Sequence, residues 1–259
     1  MGVKERRTKI LLGLFLLSDV NFSPVQINHF AEQAFDIRLN QKTKSTLKEM
    51  IKTNLISEEE SSSASTETAD IKQKTTRVYR LTEIGYNALS LHFPFCRFLR
   101  NSWDHKWRIL SYEIPESKRE IRDRLRREVA GWGLGPWHRS FWLTPHPIIE
   151  NLRNLVHQKE EEQYIQAFEA DHTVGDRDIL IEKVWQKSAL ENKYRDVFKL
   201  WHQILSSGEA KENKFTKVVA AYVDVIRNDP GLPKELIGDN WIGFEAYSIY
   251  KEIRTILLS

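Results

Sequence analysis

The chain has 259 residues, enough for two or three domains with real cores, and 39 Lys and Arg against 36 Asp and Glu leave a formal charge of +3. That balance excludes a polycationic tail, and the single cysteine, Cys96, excludes an intramolecular disulfide and a cysteine-built zinc site. The longest aliphatic run, Ile10–Leu17, is far too short to cross a bilayer and lacks a signal-peptide cleavage site, so the expected home is a reducing cytoplasm with no membrane partner.

Residues 4–20 read as an amphipathic-to-apolar helix, the buried first member of a three-helix core. Ser23-Pro24 offers an N-cap and a first-turn proline for a second helix through about Phe35. Asn40 then caps a third helix, Asn40–Ile56, in which Leu47, Met50, Ile51 and Leu55 fall on one apolar stripe. Lys44, Lys48 and Lys52 recur every four residues on another face. Lys42 and the hydroxyls of Thr43, Ser45 and Thr46 stand at the helix start. Leu55–Glu59 and Thr76–Leu81 are β-rich and predict a hairpin, with Lys72, Lys74 and Arg77 toward its tip. Thr82-Glu83-Ile84-Gly85 then turns the chain into a helix. The stretch Glu60–Asp70, rich in Ser, Thr and Glu, has no apolar periodicity.

A lysine row alone is usually a solvated helix face. In the order helix, helix, basic helix, hairpin, helix it is what a winged-helix domain presents to double-stranded DNA. On that reading Lys44, Lys48, Thr43 and Ser45 enter the major groove beside Lys42, while Lys52, Lys72, Lys74, Arg77, Arg6 and Arg7 hold phosphates.

Further along, Trp107–Ile114 predicts a buried strand ended by Pro115, and Glu116–Val129 a charged helix with Ile121, Leu125 and Val129 inward. The glycines of 131–136 make a turn, Trp137–Leu143 a second strand, Pro147–Gln158 a helix and Glu162–Glu169 a further strand. A β-α-β-β-α-β ferredoxin-like arrangement fits that order. Asp178–Leu205 is helical, with Ile181, Val184, Trp185, Tyr194, Phe198 and Trp201 inward. Phe215–Arg227 follows, then a break at 229–233 and a last helix, Phe244–Leu257. The expected class is α+β, with a winged helix at 1–98, a ferredoxin-like middle domain at 99–174 and a C-terminal helical domain at 175–259. Cys96, in an apolar run, reads as a buried, inert thiol.

Two features of the middle region invite chemistry. In the aromatic-basic strand, Arg139 suits a carboxylate or phosphate and the indoles of Trp137 and Trp142 suit an aromatic acyl group, so these three are the candidate effector contacts. The competing reading makes both tryptophans core and Arg139 a structural ion pair. The basic run Lys118–Arg127 is interleaved with Glu120 and Asp123, which favours ion pairs within a solvated helix. No metalloprotease, nucleotide-binding or acyl-hydrolase motif is present, so no catalytic residue, metal or cofactor is expected.

Trp103, Trp107-Arg108, Ile114-Pro115-Glu116, Lys118-Arg119, Arg122-Asp123 and Leu125-Arg126 form a familiar sequence. So do Gly131-Trp132-Gly133-Leu134-Gly135, Trp142 with Pro145, then Asp229-Pro230, Leu232-Pro233, Glu235-Leu236, Trp241 and Gly243. Over nearly its whole length the chain resembles the PaaX-type repressors of phenylacetic acid degradation. The resemblance implies a homodimeric repressor with a winged helix and a ferredoxin-like middle domain, released from its operator by a small-molecule effector, an aromatic acyl-CoA. That middle domain is also similar to the small metal-dependent nuclease of CRISPR spacer acquisition. In the nuclease a metal-binding acid ends the first strand, where this chain has Glu113. Metal-dependent cleavage is therefore the alternative, disfavoured because Glu replaces Asp and Pro115 follows at once.

Overall fold

The computed structural model describes residues 2–61, 76–99 and 102–259. In chain order the first elements are α1 (Val3–Leu17), α2 (His29–Ala34), α3 (Gln41–Lys52), β1 (Ile56–Ser61), β2 (Thr76–Leu81) and α4 (Glu83–His92). Next come β3 (Trp107–Tyr112), α5 (Arg119–Gly131), β4 (Gly135–His138), β5 (Phe141–Thr144), α6 (Ile149–Val156) and β6 (Ile165–Ala170). The remainder is helical: α7 (Arg177–Trp185), α8 (Lys187–Ser206), α9 (Lys211–Arg227), α10 (Lys234–Ile237) and α11 (Ile242–Leu258). The class is α+β, as expected. Two compact units result, one from Met1–Leu89, Leu200–Val223 and Ile249–Ser259, the other from Ser90–Lys199 and Asp224–Ser248.

In the first unit the second half of α1, from Ile10 on, is apolar on every side, and Ile10, Leu11, Leu12, Leu14, Phe15 and Leu16 are all buried. A helix with that pattern needs neighbours all round. Some come from the far end of the sequence, where Tyr222 and Tyr250 stack at 4.7 Å beside Trp201. The last turn of a helix leaves carbonyls without partners. At the end of α1 they are taken by α11: Arg254 donates to the carbonyls of Leu16 (3.0 Å) and Ser18 (2.6 Å), and the Tyr250 hydroxyl donates to Leu16 (3.3 Å).

Ser23-Pro24 does not start the second helix. Asn28 caps it, its Oδ1 accepting from Ala31 N at 3.1 Å. The reason lies downstream: Val25 exchanges two backbone hydrogen bonds with Tyr79, both 2.8 Å, which holds the Ser23 region extended against β2. Asn40 caps α3 as expected, accepting from Thr43 N at 3.0 Å. Its buried stripe is Leu47 and Met50, with Ile51 half-buried. The hairpin is antiparallel from Ile56↔Leu81 to Ser61↔Thr76. The Thr82 hydroxyl then donates to the carbonyls of Asn54 (2.6 Å) and Leu55 (3.0 Å) and accepts from Gly85 N. Gly85 is required there, because a Cβ would stand 1.9 Å from the Leu55 carbonyl oxygen.

In the second unit four antiparallel strands take the order β4-β5-β3-β6, with α5 connecting β3 to β4 and α6 connecting β5 to β6. Leu110, Tyr112 and Trp142 form one core with Leu125 and Val129 of α5 and Leu152 and Val156 of α6. The segment Trp137–Leu143 is not one strand. It folds back on itself at Arg139-Ser140, with His138 opposite Phe141 and Pro136 opposite Trp142. Its alternation of large and polar residues suits a single strand equally well, so the turn was invisible locally. At Gly135 a Cβ would lie 2.2 Å from Val184 Cγ1, which shows how closely α7 lies on β4. The expected continuous helix 178–205 is broken at Gln186, whose φ is +52°.

The 229–233 break is a buried polar knot. Asp229 accepts from the Tyr194 hydroxyl (2.6 Å) and Gly231 N (2.7 Å), while His146 Nε2 meets the Pro230 carbonyl at 3.0 Å. Burial pushes the Asp229 carboxyl up and holds the His146 imidazole well below its ordinary range.

Candidate nucleic-acid interface

Helix α3 turns Lys42, Lys44, Ser45, Lys48 and Lys52 to solvent, opposite the face that buries Leu47 and Met50. None of these four lysines has an ion-pair partner among the described residues. A groove of about 530 Å³ separates α3 from β2, lined among others by Lys44, Ser45, Lys48, Glu58, Arg77 and Tyr79. Burial, reinforced by the Glu58 charge, pushes the Tyr79 hydroxyl up, so that side of the groove is walled by neutral phenol and carboxylate.

Other expected contacts are placed differently. Thr43 is buried and its hydroxyl donates to Asn40 Oδ1 at 3.3 Å, and Thr46 is buried with its hydroxyl on the Lys42 carbonyl (2.9 Å). Thr43 therefore serves the cap and does not join the exposed row. Arg6 is buried at 8% exposure and donates to Thr46. Arg7 is paired with Glu49 on α3. Both arginines brace α1 against α3, contrary to the expectation that they stand ready for phosphate. Arg77 is exposed yet held by Glu58 at 3.3 Å. Lys72 and Lys74 lie outside the described residues. The sequence reading passed over Glu58 as a groove residue and over Arg38, exposed just ahead of the α3 cap. The signal for Arg38 was a basic residue two positions before Asn40. For Glu58 there was none without the strand register.

The three candidate effector contacts do not converge. Trp142 is buried at 7% exposure in the helix-side core and its indole donates to the Tyr112 hydroxyl. Trp137 is the extra residue of the β4 irregularity and is 43% exposed. Arg139 lies in the hairpin turn, where its carbonyl accepts from Tyr112 and Arg126. Much of the basic run of α5 is committed to ion pairs, Arg122–Glu116 at 2.5 Å and Arg124–Glu161 at 2.9 Å among them, and Arg126 donates to the Tyr112 hydroxyl and the Arg139 carbonyl. Glu113 is exposed, and no group of three His, Cys, Asp or Glu side chains among the described residues is arranged to hold a metal.

Residues 100–180 match the model of the PaaX protein central Cas2-like domain, and residues 185–259 match that of the PaaX-like protein C-terminal domain. The chain belongs to the PaaX family. No curated protein gives a significant match. Among solved structures this PaaX-family chain is similar to the uncharacterized protein Rv0674 from Mycobacterium tuberculosis, at 17% identity and a TM-score of 0.50, over 90% of this chain and 86% of that one. At that identity the likeness speaks for the fold alone. Both family matches lie beyond residue 99, so the lysine row is read from its own geometry.

Proposed function

We propose that this PaaX-family protein is a DNA-binding transcriptional regulator, a repressor released from its operator by a small-molecule effector. On this reading α1 to α4 and the β1–β2 hairpin are a winged helix, the β4-β5-β3-β6 sheet with α5 and α6 is a ferredoxin-like middle domain, and α7 to α11 are the C-terminal domain. The protein works as a cytoplasmic homodimer on double-stranded DNA. The observation that carries the reading is the row Lys44, Lys48 and Lys52 on α3, with Lys42 ahead of it, all exposed and without ion-pair partners among the described residues, beside a groove open to the hairpin. Unneutralised cations on one side of a helix are an anion-binding surface, and the one-turn spacing of Lys44, Lys48 and Lys52 sets these three in a line that a major groove can accept.

Lys44, Lys48 and Ser45 would meet base edges, while Lys42 and Lys52 would hold phosphates. Arg38 joins the phosphate set, and Arg6, Arg7 and Thr43 support the helix from behind. An acyl-CoA remains the effector class that the family resemblance implies, with Trp137 and Arg139 the exposed members of the expected contact set. The metal-dependent nuclease reading has the Cas2 likeness of the central domain behind it and is not favoured, since the family matches point to a regulator. The deciding experiment titrates the protein against the DNA upstream of its own gene and against a scrambled duplex, at two salt concentrations. Sequence-selective retardation with a log–log salt slope of roughly −5 to −7 is expected for six to eight phosphates neutralised per dimer. Binding to neither duplex refutes the proposal.

A further inference from the structure

The hairpin beside the lysine row has the opposite sign. Strand β1 carries Glu58, Glu59 and Glu60 in succession, and β2 answers with only Arg77 and Arg80. Register places Glu58 opposite Tyr79, Glu59 opposite Val78 and Glu60 opposite Arg77, so Glu58 and Glu60 share one face and Glu59 takes the other. Both guanidiniums are engaged: Arg77 with Glu58 at 3.3 Å, Arg80 with Glu59 at 3.0 Å. Glu60 leaves the pair of strands with one negative charge in excess. The intervening sequence does not reverse that, since Glu67 and Asp70 balance Lys72 and Lys74. Within the groove the side chain of Glu58 is 31% exposed and that of Arg77 is 66% exposed, so the carboxylate is the deeper of the two, on the same groove as Lys44 and Lys48.

We infer that β1 is a phosphate-excluding strip. Resting on the DNA-binding reading above, the inference is that Glu58, Glu59 and Glu60 keep Arg77 and Arg80 from the phosphate backbone and confine duplex binding to α3. Exposed ion pairs of this kind add little to folding stability. Their effect is on the field: a phosphate drawn toward Lys44 and Lys48 meets a carboxylate, and two arginines that would otherwise release counterions are already neutralised. Sequence-independent affinity is thereby held down, and the contacts that α3 makes with base edges count for more in choosing a site. Glu58, Glu59 and Glu60 are specificity determinants that touch no base.

The test is anisotropy of full-length protein on a random duplex of about 30 base pairs, at about 50 and 200 mM salt, where backbone contacts dominate. The variant is Glu58→Gln/Glu59→Gln/Glu60→Gln, with Glu60→Gln alone as a milder version and circular dichroism confirming the fold. A matched control replaces three exposed carboxylates of the other unit, Glu120→Gln/Glu150→Gln/Glu162→Gln, at the same change in net charge. The strip predicts roughly tenfold tighter binding of random duplex by the triple β1 variant and a log–log slope steeper by about 2, with the control unchanged. Unchanged or weaker binding by the β1 variant overturns it, and so does an equal rise in the control, which would assign the effect to net charge. Wild-type binding with an unresponsive β1 variant removes the strip alone. Failure of every form to bind any duplex removes the DNA-binding reading and the strip together.

Discussion

Replacing Arg254 by alanine should loosen α1, the helix against which the lysine-bearing α3 is braced. Arg254 Nη1 donates to the carbonyls of Leu16 at 3.0 Å and Ser18 at 2.6 Å, at the end of α1 where no following turn supplies donors. Hydrogen bonds from a charged donor contribute about 1.5–3 kcal/mol each. The Leu16 carbonyl keeps the Tyr250 hydroxyl at 3.3 Å, so only the Ser18 carbonyl loses its donor outright. Arg254 is itself half-buried, so water can reach part of the vacated space. About 2 kcal/mol is the expected loss. Arg254→Met separates packing of the aliphatic stem from the hydrogen bonds and should recover less than half of it. Hydrogen exchange of the α1 amides, followed beside those of α5, reads the effect locally. A uniform change across both helices, or a loss below about 0.5 kcal/mol, would refute the assignment of Arg254 as the α1 cap.

Three further outcomes are expected. Lys48→Ala should weaken operator binding by about 1–3 kcal/mol if it meets a base, whereas Thr43→Val should leave affinity per folded molecule unchanged and lower thermal stability instead; equal losses of affinity would return Thr43 to the interface. Because burial depresses the His146 pKa, the unfolded chain binds more protons below its ordinary value of 6.5, so the stability His146 confers is full above that pH and is lost as the pH falls below it. The difference in melting temperature between wild type and His146→Gln should therefore shrink from pH 7.5 to 5, about the range over which imidazole titrates, and a constant difference contradicts the reasoning. Cys96 is wholly buried and its thiol is pushed up by that burial, so a thiol reagent should label it only after unfolding; prompt labelling of the native protein would contradict its placement.

Local chemistry made much of this fold legible. Asn40 caps α3 through an oxygen three residues from its donor, the lysine spacing follows from 3.6 residues per turn, and Thr82 with Gly85 marks the exit from the hairpin. Both helices of the middle region and three strand segments were readable from alternation and glycine turns, but the fourth strand was not: the fold-back at Arg139-Ser140 divides one segment into β4 and β5, and large residues alternate equally well along one strand or two. Ser23-Pro24 misled for a related reason: it has the composition of a helix start, and Tyr79, more than fifty residues away, bridges the adjoining Val25 and holds the segment extended.

Which side chains share a face of α3 follows from residue order alone, since helical periodicity depends on nothing beyond the helix. Packing settles which of the expected contact residues are left for a ligand. Arg6 and Arg7 are spent on Thr46 and Glu49, Arg77 on Glu58, and Thr43 on its own cap, while Lys42, Lys44, Lys48 and Lys52 have no ion-pair partner among the described residues. A charge available to a ligand is one whose neighbours leave it unneutralised, and neighbours in space are set by packing across dozens of residues, which no local pattern encodes.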